Sequence, residues 1–400
     1  MSSFEYAPLL ENGGHTGHRN LSITRRVVNF MKGEGEPSWT QSFKFFIFGT
    51  WFDVLLVFIP LSFISHNMDW DVGLVFFFSF MAILLGEATD QLSVKLGETM
   101  SGLLNASFGN AVEIIVGAAA LLNGQLRIVQ MSMLGSILSN ILLVLGCSFL
   151  ASKGPLFFQR GLMTLSCITL VIPAAYTSIT DVGKQKYCSD PDQCPTAGLL
   201  FISRGTAILL LGVYCAYIWF QLKTHPDLFI APSPLTDEQN SEMAETEPRM
   251  GTAAAGVALL SVTVVIACCA EYLVASMEET AVRYSIPKAF IGVVLLPIVG
   301  NAAEHVTSVW MEMKNKYELT ITICVGSSIQ IACLVVPLFV IAGWIVDQPL
   351  TLHFHNFETL VLFVSVFLVN LLLMDGKANY MEGLMLLTLY LVIALAFWVA

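Results

Sequence analysis

The sequence predicts an all-α integral membrane protein of eleven transmembrane helices: one N-terminal helix plus two inverted five-helix repeats. Three observations carry that expectation. Apolar residues make up 56% of the 400-residue chain, and Asp, Glu, Lys and Arg only 12%. That is about half the charge of an ordinary globular domain, too little to build a polar shell. The apolar residues gather into long stretches, each close to the roughly 20 residues a helix needs to cross the hydrocarbon. A set of polar residues also recurs at a constant spacing of 191.

In chain order the spans are expected at 43–65, 72–96, 102–123, 126–150, 157–181, 197–222, 251–277, 286–311, 318–345, 355–374 and 378–398. They show little alternation of apolar and polar residues, which argues against a β-barrel. The chain then divides into an N-terminal tail (1–42), a first helix (43–65), a first repeat (72–222), an acidic linker (223–250) and a second repeat (251–398). The tail has no short apolar run beside a small-residue cleavage site, so no secretory signal peptide is expected. Trp51, Trp70, Trp219, Trp344 and Trp398 fall near span ends, as interfacial aromatics do.

Lys and Arg orient the bundle. With the N-terminus cytosolic, thirteen of them lie on that side and six (Arg127, Lys184, Lys186, Arg204, Arg283, Lys288) on the other. The positive-inside rule favours this choice, and an odd number of spans puts the C-terminus across the membrane. A net charge of −11 argues against nucleic acid as a partner and fits a protein that handles cations. Most of the nine Cys fall inside spans, where they pack as small apolar residues. Cys188 and Cys194 share the loop KQKYCSDPDQCP; whether they form a disulfide depends on the compartment they face.

The repeat is the most informative pattern. Gly109-Asn110-Ala111-Val112-Glu113 aligns with Gly300-Asn301-Ala302-Ala303-Glu304, Gly135-Ser136 with Gly326-Ser327, and Glu87 and Thr89 with Glu278 and Thr280, all without a gap. The match maps the third span onto the eighth. An odd separation makes the copies cross in opposite directions, and inverted repeats place a shared site near the midplane.

Each copy sets a carboxylate, an amide and a glycine within an apolar segment. A charge at the bilayer centre costs about 2.5–3.5 kcal/mol on insertion scales, and the one Lys or Arg in these two spans, Lys288, stands at a span end, far from the carboxylates in sequence. The compensating charge is then a bound cation or protons. Glu113 and Glu304 together match one divalent ion, and Asn110 and Asn301 stand three positions earlier on the same helical face. Pro297 and Gly300, with Gly109 in the first copy, are expected to kink or unwind the helices and free carbonyls near Ser107, Phe108, Ile298 and Val299. Such all-oxygen chemistry suits Ca2+ and disfavours zinc or copper. For either Glu alone, a protonated side chain bonded to a neighbouring helix is the simpler reading. Recurrence of the whole Gly-Asn-x-x-Glu group favours an ion site.

Around this pair, Ser136, Ser139 and Asn140, and Ser327, Ser328 and Gln330, supply hydroxyl and amide groups for an outer shell; small-residue helix packing accounts for them equally well. Glu87 and Glu278 are candidates for cavity mouths, and His305 for carrying or sensing protons. Asp90, Glu271 and Glu279 read equally as solvated helix ends. No G-x-x-x-x-G-K-[ST] motif and no sizeable soluble domain is present to hydrolyse ATP, so movement is expected to draw on another gradient. An empty, doubly charged site is costly to carry across the membrane, which by itself enforces exchange.

At these residues the chain resembles the cation/Ca2+ exchanger superfamily, specifically its fungal vacuolar Ca2+/H+ exchanger branch. The likeness rests on GNAVEII (109–115) and GNAAEH (300–305) and extends over 43–398. It implies the lone helix plus two inverted repeats, Ca2+ coordination by Glu113 and Glu304 with backbone carbonyls of broken helices, protons as counter-ion, and no cofactor. It further implies an acidic helix between spans 6 and 7, a role that fits Asp237, Glu238, Glu242, Glu245 and Glu247. Five acids in a polar linker read on their own as solvated. The segment Glu5-Tyr6-Ala7-Pro8-Leu9-Leu10 looks like an acidic dileucine signal for the vacuolar membrane. Na+/Ca2+ exchange and Mn2+ transport stay open from the residues, and a cation channel is the rival of another class. An intramembrane hydrolase is disfavoured, since NAAEH lacks the H-E-x-x-H spacing.

Overall fold

Two helices sit at the centre of the bundle because they are apolar on all sides. In the computed structural model most of the Leu126–Leu150 and Leu319–Ile345 helices lies buried, whereas most of each other long span does not. The structure describes residues 38–48, 56–68, 70–83, 110–151, 197–220, 223, 252–314, 317–373 and 380–399. The span at 157–181, Cys188 and Cys194, the tail's sorting segment and the acidic linker lie outside them.

All regular structure among the described residues is helical. In chain order the helices are α1 (Trp39–Phe48), α2 (Phe58–Asn67), α3 (Val72–Ile83), α4 (Ala111–Leu122), α5 (Leu126–Leu150), α6 (Ala197–Trp219), α7 (Thr252–Arg283), α8 (Lys288–Gly300), α9 (Ala302–Met313), α10 (Tyr317–Gln330, running on through Ile331–Val335 to Val336–Ile345), α11 (Asn356–Leu372) and α12 (Tyr380–Val399). Five of them are long and apolar enough to cross a membrane, or six if the bent pair α8–α9 is one span. Trp70, Trp219, Trp344 and Trp398 are all exposed, near helix ends. α7 continues to Arg283, past the expected end at 277. Its apolar stretch stops where Glu278 and Glu279 begin, but the backbone hydrogen bonds do not.

Three helices contain π-helical stretches: Ser139–Val144 in α5, Ile291–Leu295 in α8 and Ile331–Val335 in α10. In α8 and α10 the cause is a proline just downstream, Pro297 and Pro337. Proline offers no N–H and its ring collides with the carbonyl four residues back; Val293 and Cys333, the residues in question, lie inside the widened turns. α5 has no such proline. Its stretch nevertheless occupies the positions that match α10's at the spacing of 191.

α5 and α10 pack against each other and are flanked by α4, α8 and α9, while α7 packs on α3 and α4, α12 lies along the C-terminal end of α5 and α6 along that of α10. The α5–α12 seam is close enough that a Cβ on Gly383 would come within 2.6 Å of the Gly146 carbonyl oxygen. Small residues permit such approach between membrane helices. α2, α3 and α7 form a second cluster, in which the buried Ser62 and Ser79 hydroxyls share a hydrogen bond of 2.7 Å.

At one end of the bundle, side chains tie helices from distant parts of the chain. Arg283 at the end of α7 pairs with Asp71 just before α3 (2.6 Å), and the Tyr284 hydroxyl donates to the same carboxylate (2.9 Å). Lys288 pairs with Glu278, which also accepts from Gln125 just before α5 (3.5 Å). Arg127 bonds to His355 and to the buried Glu358, where α11 begins.

Candidate functional site

The site forms where two helices start inside the apolar bundle. Asn110 is the N-cap of α4 and Asn301 that of α9. α8 meets α9 at a bend of 57°, the break that Pro297 and Gly300 predict. Helix starts leave backbone N–H groups without intrahelical partners and carry partial positive charge, so the first turn of a helix is a favourable place for a carboxylate. Glu113 and Glu304 occupy those first turns.

Glu113 is 5% exposed and both of its oxygens are buried without a hydrogen-bond partner. Its carboxyl lies against Gly300: a Cβ added there would be 2.6 Å from Oε1 and 3.0 Å from the carboxyl carbon. The first copy's carboxylate thus reaches the helix break of the second. Glu304 is within hydrogen-bonding reach of Ser327 and Asn140, and its Oε2 is buried and unpartnered. The two carboxyls lie close enough for each to feel the other's charge.

The two asparagines hold the helix starts by crossing between the halves. Asn110 donates through Nδ2 to Gln330 Oε1 (2.8 Å) and accepts at Oδ1 from the Ser327 hydroxyl (2.8 Å), both on α10. Asn301 donates to the Ser136 carbonyl on α5 (3.1 Å), leaving its own Oδ1 buried and unpartnered. Asn140 Nδ2 donates to Ser327 Oγ (3.0 Å), which links α5 directly to α10. Residues that match at the spacing of 191 therefore meet in both halves, though through different atoms: Asn110 accepts from the Ser327 hydroxyl, whereas Asn301 donates to the Ser136 carbonyl.

The structure brings together Glu113, Glu304, Asn110, Asn301, Gly300, Ser136, Ser327, Gln330 and Asn140. Ile298 lies one turn before the break and is 38% exposed, and His305 adjoins Glu304. The buried Ser139 lies by Tyr390 of α12 instead of the carboxylates. Glu278 is 57% exposed and held by Lys288 and Gln125 at the bundle end. Ser107, Gly109, Glu87 and the five linker acids lie outside the described residues. Among the described residues no group of three or more His, Cys, Asp and Glu is placed to hold a metal. What the site offers is two carboxylates with amide, hydroxyl and carbonyl oxygens, the hard set that Ca2+ accepts.

Sequence reasoning did not find the π-helical stretches that carry Asn140 and follow Gln330. A proline six residues after Ile331 was the available sign in α10; α5 offered none. The Arg127–Glu358 pair was also missed, because its partners stand 231 positions apart.

An apolar helical bundle that buries two carboxylates with unpartnered oxygens at internal helix starts has the arrangement of a membrane cation transporter. The chain belongs to the sodium/calcium exchanger protein family, whose pattern matches residues 70–223 and 254–399. It is 42% identical over 416 aligned residues to the vacuolar calcium ion transporter of Schizosaccharomyces pombe, covering 98% of this chain and 93% of that protein. It is 38% identical to vacuolar cation/proton exchanger 3 of Oryza sativa subsp. japonica, with coverage of 98% and 94%. Among solved structures, native YfkE superposes with a TM-score of 0.71 at 31% identity, covering 87% of this chain and all of that one. The H+/Ca2+ exchanger CAX, at 15% identity and a TM-score of 0.57, shares the fold.

Proposed function

We propose that this chain is a vacuolar-membrane antiporter exchanging cytosolic Ca2+ for luminal H+ by alternating access. The observation that carries the reading is Glu113, enclosed in the apolar bundle with both oxygens unpartnered and turned to the break before α9. One Ca2+, or protons on the carboxylates, neutralises Glu113 and Glu304, so both loaded forms are spared the cost of carrying charge through hydrocarbon. The bare form bears that cost, about 2.5–3.5 kcal/mol per central charge on insertion scales. An empty carrier therefore stalls, and Ca2+ in one direction requires protons in the other.

In this reading Ca2+ is held by Glu113 and Glu304, by the Asn110 and Asn301 amide oxygens, and by backbone carbonyls around Ser107, Gly109, Ile298 and Gly300. Ser136, Ser327 and Gln330 support them, and Glu87, Glu278 and His305 serve access and proton movement. The chain has eleven spans, a lone first helix and two inverted five-helix repeats, with a cytosolic N-terminus and a luminal C-terminus. The spacing of 191 and the recurrence of an asparagine–serine pair in each half support that arrangement. The linker acids Asp237, Glu238, Glu242, Glu245 and Glu247 gather Ca2+ at the cytosolic face. The names of the fungal and plant relatives support the ion pair and the compartment.

The test is Ca2+ uptake into vesicles reconstituted with the full chain, with and without an imposed proton gradient. Uptake is expected only with the gradient, unchanged when choline replaces Na+, and abolished by Glu113→Gln or Glu304→Gln with unaltered thermal unfolding. Near-normal uptake in both variants removes the site assignment. Flux indifferent to pH points to a channel, and flux that needs Na+ to Na+/Ca2+ exchange.

A further inference from the structure

α9 carries another carboxylate that the exchange site does not use. Glu312 is fully buried (0% exposed), eight residues after Glu304 and one before the helix ends at Met313. At about 100° and 1.5 Å per residue, Glu304 and Glu312 flank Ser308 by about 40° on either side, on one stripe about 12 Å long. Ser308 is likewise fully buried.

The groups facing this stripe are polar. The Ser148 hydroxyl of α5 donates to Ser308 Oγ (3.1 Å), and Thr320 of α10 donates to the Ser308 carbonyl (3.2 Å). The Cys324 thiol of α10 lies beside Ser308, within electrostatic range of both Glu304 and Glu312. Exchangeable O–H and S–H groups therefore lie along the stretch of α9 between Glu304 and Glu312, gathered around Ser308. At the far end of α9 Lys314 is turned onto the face of Trp310, 4.1 Å from the ring centre. The segments packed on α9 are α10, the second half of α5 and the end of α8. The described titratable residues of these segments nearest this stretch are Tyr317 and Cys324 on α10 and Cys147 on α5; α9 itself adds Glu304, His305 and Lys314.

We propose that Glu312 is a proton-carrying residue that relays protons between the Glu113–Glu304 site and the aqueous phase beyond Lys314. The inference rests on the exchange reading above. When Ca2+ enters from that side, a proton leaving Glu304 passes along these groups and converts the Glu312 carboxylate to the acid. Glu312 then releases a proton to water and recovers its charge. A carboxyl is needed for this, whereas a purely packing role is filled as well by an amide of the same shape.

The experiment measures initial Ca2+ uptake in vesicles while pH is varied only on the Ca2+-loading side. Glu312→Gln is expected to slow uptake by about tenfold or more, as loss of a positioned proton carrier does, and to flatten its dependence on that pH. Half-saturation by Ca2+ at the alkaline limit stays as in the parent, and Glu312→Asp restores the pH dependence. Parental rates and pH profile in Glu312→Gln overturn the proposal, and so does a slowed Glu312→Gln that Glu312→Asp does not rescue. If Glu312→Gln fails to fold, Ser308→Ala decides: it is expected to slow the same limb of the profile, and an unchanged profile overturns the relay. A parent protein without proton-driven uptake refutes the exchange reading instead.

Discussion

Replacing Gly300 by alanine separates the site from the fold. The added methyl would sit 2.6 Å from Glu113 Oε1, and ordinary contact begins near 3.4 Å. The carboxylate must therefore retreat by about 0.8 Å, which is large beside Ca2+–oxygen bonds held within about 2.3–2.6 Å. Gly300 ends α8 in helical conformation, where alanine is no worse and in helix interiors about 1 kcal/mol better. Thermal unfolding should accordingly hold or rise. The Ca2+ concentration for half-maximal uptake should increase about tenfold or more, equivalent to about 1.4 kcal/mol. Gly326→Ala is the control: it stands beside Ser327, but its added Cβ meets nothing within 4 Å. Parental half-saturation in Gly300→Ala, or an equal loss in Gly326→Ala, would refute the placement of Glu113 against this break.

Ser327→Ala removes the donor to Asn110 and the acceptor for Asn140. The orphaned groups should cost about 1–3 kcal/mol, read as a lower melting temperature together with weaker Ca2+ half-saturation. Arg127→Ala strips the guanidinium from Glu358, whose side chain is 4% exposed. A loss of about 1.5–3 kcal/mol is expected, partly recovered in the Arg127→Ala/Glu358→Gln double variant, and melting curves check both. Asp71 is held below the ordinary carboxylate range by the Tyr284 hydroxyl first, then by the Gly73 N–H and the Arg283 guanidinium. Its tie is thus fully present above an unfolded value of about 3.9 and fades as pH falls through the lowered folded value. Asp71→Asn should melt earlier than the parent at neutral pH, with the difference closing in strong acid; a constant difference would count against the tie.

Much of the site was legible because membrane physics makes polar residues conspicuous. Two Gly-Asn-x-x-Glu groups within apolar stretches announced the carboxylates, and Pro297 with Gly300 announced the bend of 57°. Partner choice was less visible. Ser327, on α10, bonds Asn110 from 217 positions away, and no local pattern encodes which helices become neighbours. Glu278 illustrates the converse. Its match to Glu87 suggested a cavity mouth and gave no hint of its pairing with Lys288 ten residues on. Buried carboxylates without a repeated motif, Glu312 and Glu358, gave no sign of their depth, since each stands near a span end where a solvated acid is ordinary.

The ties among Asp71, Gln125, Arg127, Glu278, Arg283, Lys288 and Glu358 make one mouth of the bundle a fastening of charges, whereas the Gly146–Gly383 seam is a fastening of shape. Dissolved salt loosens the first kind and leaves the second alone. Any motion that parts those helix ends will therefore quicken as the bathing solution grows more concentrated, while sliding along the glycine seam keeps its pace.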